Sequence, residues 1–187
     1  MYIDLTVNIT PEVKKKAEAN DRFALLGHLG THFDAMGKEF SLDYLRLNAV
    51  IFNVSEIRGR EITVDDVDLS LVKAKMFVCF CTGFENERGY GNAEYFTNHP
   101  VLSDELVNKL VDIGVYIIGI DTPGVRPGPV HSMKDQYCAD RGTFIVENMG
   151  GIEQLLQDKE SLRCVINTYP VRFSEIHAVF CRVVAEV

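Results

Sequence analysis

Apolar residues come in short runs separated by polar turns, and the lengths of those runs predict a chain that mixes strands with helices. Residues 2–7 predict a strand. Thr10 and Pro11 open a helix over 11–20, Thr10 as cap and Pro11 at the first helical position. The β-branched and aromatic run at 47–54 predicts a buried strand. Acids interrupt the apolar pattern at 64–71, which predicts a loop or short turn. A second apolar run at 75–81 predicts a strand that ends at Thr82-Gly83. Glycine, proline and polar groups at 84–100 predict a long loop carrying Phe84, Tyr90, Tyr95 and Phe96. Ser103 caps the next helix, whose apolar face is Leu106, Val107, Leu110 and Val111, and Gly114 ends it. A strand at 115–120 follows, so strand, loop, helix and strand form a crossover unit. A turn at 121–124 and a loop at 125–133 precede a helix at 134–140, a strand at 143–146 and a short helix at 151–157. Residues 163–169 and 178–185 read as closing strands. The fold class is α/β, a single domain over 1–187 with more strand than helix and no repeat or linker.

Between the first helix and the strand at 47–54 lies His28-Leu29-Gly30-Thr31-His32-Phe33-Asp34. In an extended segment, side chains at every second position share one face, here His28, Gly30, His32 and Asp34. Two imidazoles and a carboxylate on one face form a ligand set that suits zinc, manganese or iron. A helix would also pair His28 with His32, but Gly27, Gly30, Thr31 and Phe33 disfavour one. The competing reading is a polar turn with two incidental histidines.

This segment resembles the His-x-Gly-Thr-His-x-Asp-Ala motif of the metal-dependent cyclase family, which includes bacterial kynurenine formamidase and isatin hydrolase. Gly119-Ile120-Asp121-Thr122-Pro123 resembles that family's Gly-Ile-Asp-Thr-Pro turn. The run Gly142-Thr143-Phe144-Ile145-Val146-Glu147-Asn148 resembles its Gly-x-x-Ile-x-Glu-Asn segment, and Arg182-Val183-Val184-Ala185 its final strand. The resemblance implies a swivelling β/β/α architecture with mixed sheets, and makes His28, His32 and Asp34 metal ligands. It makes Glu147 a ligand of a second ion. By the family's spacing, Asp135 stands where a second-site histidine would, with His131 as the nearby competitor. Lys38 stands where the family places a proton-transferring histidine, and Met36 replaces a usual proline. Lysine is normally protonated at neutral pH, so a catalytic Lys38 depends on adjacent cations.

The resemblance therefore implies a metal-dependent hydrolase that attacks a small amide, lactam or formamide with activated water, with Lys38 and Glu147 moving protons and one or two zinc or manganese ions bound. The alternatives are a non-catalytic metal-stabilised binding module and a ring-closing or dehydrating enzyme. A homodimer or homotetramer is expected on the same ground.

Composition trims this picture. With 27 acidic and 19 basic residues the net charge is −8, which argues against nucleic acid as partner and leaves a small-molecule substrate. The basic run 14–16 reads as a solvated helix face. No apolar stretch approaches a bilayer span and no leader pattern is visible at the N-terminus, so no membrane association and a cytoplasmic location are expected. The five cysteines predict free thiols. Cys79 and Cys81 share one strand face and read as small core residues rather than a soft-metal pair.

Overall fold

The computed structural model describes residues 2–5, 12, 27–39, 41–171 and 176–187. Among these, nine strands form one mixed sheet. They are β1 (Tyr2–Asp4), β2 (His32–Asp34), β3 (Arg46–Asn53), β4 (Phe77–Cys81), β5 (Ile117–Ile120), β6 (Phe144–Glu147), β7 (Ser161–Thr168), β8 (Ala178–Phe180) and β9 (Val183–Glu186). Their order is β1-β9-β7-β3-β4-β5-β6-β2-β8. The centre, β3 to β6, is parallel; the flanking pairs are antiparallel. The helices are α1 (Phe84–Arg88), α2 (Ala93–Thr97), α3 (Asp104–Ile113), α4 (His131–Ala139) and α5 (Ile152–Leu156).

Strand β8 lies at one end of this order and β9 one place from the other, yet only Cys181 and Arg182 separate them. The three Cα steps from Phe180 to Val183 span at most about 11 Å. The sheet must therefore curl until its ends meet. Cys181 N donates to Thr31 O and Tyr169 N to Arg182 O, which ties the seam on both sides.

The curl gives the sheet an inner and an outer face, and the period of two sorts the side chains between them. Phe77, Cys79, Cys81, Ile117, Phe144, Val146 and Phe33 point inward, into a core shared with Ile166, Val183 and Ala185. Val78, Phe80, Ile118, Ile120 and Ile145 point outward, beneath Leu106, Val107 and Leu110 of α3. Helix α3 matches its expected limits because Ser103 Oγ accepts from Leu106 N and Gly114 adopts φ +83° at its end. Cys79 and Cys81 are buried among apolar groups, and all five cysteines are free thiols. Burial pushes the Cys81 thiol up and likewise raises Cys79, so this pair belongs to the core.

Four sequence expectations differ from the structure. The expected loop at 84–100 folds into α1 and α2, because Asn92 Oδ1 caps Tyr95 N and Tyr95 is wholly buried. The expected helix at 134–140 begins at His131, since the turn Gly128–Val130 leads straight into it. The expected single strand at 178–185 is two strands, broken where the chain crosses the seam. The straight extended reading of the histidine motif holds only for β2, as described below. The expected helix at 11–20 and its basic face lie outside the described residues. No helix among the described residues is long and apolar enough to cross a membrane.

Candidate metal centre

Strand β2 pairs antiparallel with β6, and the register sets His32 opposite Glu147 and Asp34 opposite Ile145. Phe33 and Val146 turn inward, so His32, Asp34 and Glu147 share the outer face. Helix α4 crosses this face. Its residues His131 and Asp135 are one turn apart and stand together on the side that meets the strands.

His28 arrives differently. A straight strand would carry it about 20 Å from Asp34, at roughly 3.3 Å per residue. Gly27 at φ +77° and Gly30 at φ +73° instead fold the chain back. A Cβ at Gly27 would sit 2.2 Å from Ala178 O, so this approach also needs the missing side chain. His28 Nδ1 then lies 3.1 Å from His32 Nε2 and 3.6 Å from Asp34 Oδ1.

His28, His32 and Asp34 form one group of potential ligand atoms; Asp34, His131, Asp135 and Glu147 form a second, each group within 4.8 Å. Asp34 belongs to both. His32 Nε2 is 3.6 Å from Asp34 Oδ1 and 3.5 Å from Glu147 Oε2. His131 Nε2 is 3.1 Å from Asp135 Oδ2 and 3.2 Å from Glu147 Oε1. The sequence reading set His131 against Asp135 as alternatives; the helix delivers both.

Residues around the centre fix its orientation. Gly30 O faces His32 Nδ1 at 2.8 Å, so a proton on Nδ1 leaves the Nε2 lone pair facing the carboxylates. Asn148, at φ +54°, donates from Nδ2 to the same Gly30 O, and its own backbone oxygen accepts from Thr31 Oγ1 at 2.6 Å. Tyr95 Oη donates to Asn148 Oδ1, and Gly30 N donates to Tyr90 Oη. The sequence reading placed both aromatics on a long loop. They anchor the segment that carries the candidate ligands His28 and His32.

The electrostatics call for a cation. Asp34 Oδ2, Asp135 Oδ1 and Glu147 Oε1 are buried and accept no hydrogen bond. An unpaired buried carboxylate is costly, so such oxygens fit a metal ion. Burial, joined by the charges of neighbouring carboxylates, pushes Asp135 and Glu147 well above the ordinary range. Burial also opposes ionisation of Asp34, but the charge of His32 holds it below the usual value. Burial opposes a charged His32 too; Asp34 and Glu147 overcome it and raise this ring to about 9. Burial and the neighbouring His32 lower His28 to about 4.

Lys38 lies elsewhere. Its Nζ pairs with Asp140 Oδ1 at 2.6 Å, beyond the end of α4, and both side chains are nearly half exposed. It lines a cleft of about 560 Å³ with Leu42, Tyr169 and Val171.

Residues 3–127 match the sequence profile of the Cyclase family, described as "Putative cyclase". The chain belongs to this cyclase family. No curated protein matches it. Among solved structures, isatin hydrolase A from Ralstonia solanacearum is 17% identical, with a TM-score of 0.75 over 99% of this chain and 91% of that one. Isatin hydrolase A from Labrenzia aggregata, bound to benzyl benzoate, is 17% identical, with a TM-score of 0.74 over 99% and 93%. A structure described as a potential metal-dependent hydrolase with cyclase activity is 20% identical, with a TM-score of 0.74 over 99% and 98%. At these identities the likeness speaks for the cyclase fold.

Proposed function

We propose that this cyclase-family protein is a metal-dependent hydrolase that cleaves the C–N bond of a small amide, lactam or formamide. The observation that carries the reading is the convergence of three imidazoles and three carboxylates with three buried carboxylate oxygens that accept no hydrogen bond. The names of the structural neighbours support the same chemistry.

His28, His32, Asp34, His131, Asp135 and Glu147 would hold the metal, zinc or manganese, as one or two ions. A divalent ion supplies Lewis acidity toward a carbonyl and lowers the pKa of water from 15.7 towards about 7. The chain's own groups do the rest. His32 is held by Gly30 O, and Asp34 stands between the two ligand groups. As water adds to the carbonyl carbon, its proton would pass to the Glu147 carboxylate; the C–N bond then breaks, and the proton goes on to the departing nitrogen. The five free thiols support a reducing, cytoplasmic setting. Leu42, Tyr169 and Val171, at 82%, 57% and 56% exposure, support a homodimer or homotetramer that covers them.

The reading is tested by measuring the metal content of protein purified without chelator, then assaying formanilide, a benzo-fused lactam and an aryl ester with added Zn²⁺ or Mn²⁺. Bound metal and turnover that His32→Ala abolishes are expected. Metal-free wild type, or a His32→Ala variant as active as wild type, overturns it. One observation favours a second reading, a metal-stabilised binding module: Lys38 pairs with Asp140 instead of reaching the centre. That reading predicts a melting temperature lowered by chelator, with no turnover of any amide.

A further inference from the structure

The two ligand groups differ in chemistry. The first offers two imidazole nitrogens and the Asp34 carboxylate. The second offers one imidazole, from His131, and three carboxylates, Asp34, Asp135 and Glu147. Nitrogen donors raise the preference for zinc over manganese, whereas carboxylates are the donors that suit manganese and magnesium. Both groups sit in one buried cluster, so this contrast acts at a single centre.

The carboxylate count leaves room for two cations. Asp34, Asp135 and Glu147 carry three negative charges when ionised, and each is at most 3% exposed. One divalent ion leaves a buried negative charge uncompensated. Two leave a single positive charge, which one anionic ligand or ionised water neutralises. Asp34 belongs to both ligand groups. Its Oδ1 lies 3.6 Å from both His28 Nδ1 and His32 Nε2, and its Oδ2 accepts no hydrogen bond.

We infer that the centre is a split two-ion site, in which the His28–His32 half selects zinc and the His131–Asp135–Glu147 half selects a harder ion, manganese or magnesium, with Asp34 shared between them. Asp135 makes the difference. It adds a carboxylate on α4 one turn beyond the imidazole of His131, so the second half is richer in oxygen than one imidazole and one glutamate would make it. The inference rests on the metal-dependent reading above, but it concerns which ion goes where and does not depend on turnover.

Zinc outcompetes manganese for almost any nitrogen- and oxygen-containing site when both are plentiful, so the test must limit zinc. Metal-stripped protein is given one equivalent of Zn²⁺ with excess Mn²⁺, crystallised, and mapped by anomalous scattering at the two absorption edges. Zinc beside His28 and His32, with manganese beside His131 and Asp135, is the expected result. Zinc in the Asp135 half, zinc divided evenly between the halves, or a single ion at Asp34 overturns the inference while leaving the hydrolase reading standing. No ion in either half overturns both. In solution, Asp135→Asn should lose the manganese paramagnetic resonance signal of the protein-bound ion and keep its equivalent of zinc by elemental analysis. His28→Ala should do the reverse. If Asp135→Asn retains manganese as wild type does, Asp135 is not the selecting residue and the split assignment fails.

Discussion

His32 and Glu147 stand directly opposite each other on antiparallel strands, with Nε2 3.5 Å from Oε2. This one cross-strand pair joins two candidate ligands that are far apart in the chain, and β2 has no freedom to slip. A shift of one residue would turn both His32 and Asp34 into the core and Phe33 out onto the metal face.

Removing the metal should loosen the whole protein. The buried carboxylates of the centre repel one another without a cation. A ligand at a thousandfold its dissociation constant stabilises by about 4 kcal/mol. For a chain of this size, that corresponds to a rise in melting temperature of roughly 8–16 °C. Thermal scans with Zn²⁺, Mn²⁺ and chelator read this directly; a melting temperature indifferent to all three contradicts it.

Tyr95→Phe should weaken metal binding from outside the centre. The lost hydroxyl leaves Asn148 Oδ1 without its tyrosine donor, and Asn148 holds the Gly30 carbonyl that faces His32. Loss of a partner bonded directly to a ligand costs about 10–100-fold in metal affinity, so this more distant loss should cost about tenfold or less. Metal competition titrations check it, with circular dichroism to verify the fold.

Gly124→Ala should empty one half of the centre. A Cβ there would meet the His131 ring at 2.5 Å, and the backbone at φ +148° disfavours a side chain as well. His131 must swing away. Elemental analysis should show reduced occupancy, and stability should fall by about 1–3 kcal/mol, the usual cost of overpacking.

Lys38→Ala separates two roles. As an ion pair with Asp140, both partners nearly half exposed, Lys38 contributes at most about 1 kcal/mol. If it also transfers protons, turnover should drop by about a hundredfold or more with little change in melting temperature. Unchanged turnover assigns Lys38 to the surface.

Asp121 gives the stability a pH dependence of its own. Burial raises its carboxyl to about 6, even though Thr82 N, Thr82 Oγ1 and Gly83 N donate to it. An unfolded aspartate titrates near 3.9. Between these values the unfolded chain has released this proton and the folded one still holds it, so the contribution falls as pH rises from about 4 to about 6. The expected loss is about 3 kcal/mol. Urea unfolding of wild type and Asp121→Asn across that range isolates the effect. If the two curves run parallel, or wild type gains relative to the variant, the assignment is wrong.

What could be read in the sequence was local. The candidate ligands His28, His32 and Asp34 lie within seven positions, so their spacing singled them out before any fold was known. Ser103, Gly114 and the apolar face of α3 were legible because caps and periodicity act within one helix. The fold-back at Gly30 was not, since a lone glycine in a polar segment signals freedom without direction. His131 was hidden by the prolines before it, which suggested a loop where Pro129 lies in the turn that starts α4. A helix start three residues earlier would have put His131 and Asp135 on one face at once. The break between β8 and β9 was also silent. Residues 178–185 carry strand propensity throughout, and only the closure of the sheet decides that Cys181 and Arg182 must change sides.

That closure has a bearing on how the protein comes into being. Strand β2 is wedged between β6 and β8, so the histidine-bearing segment waits for partners made more than a hundred residues after it. During synthesis from the N-terminus, His28, His32 and Asp34 leave the ribosome early and have no strand to pair with until Phe144–Glu147, and then Ala178–Phe180, follow. Premature metal capture by this nascent stretch would favour misfolding, and cells that starve of metal should accumulate full-length chains that have closed their sheet around an unfilled centre.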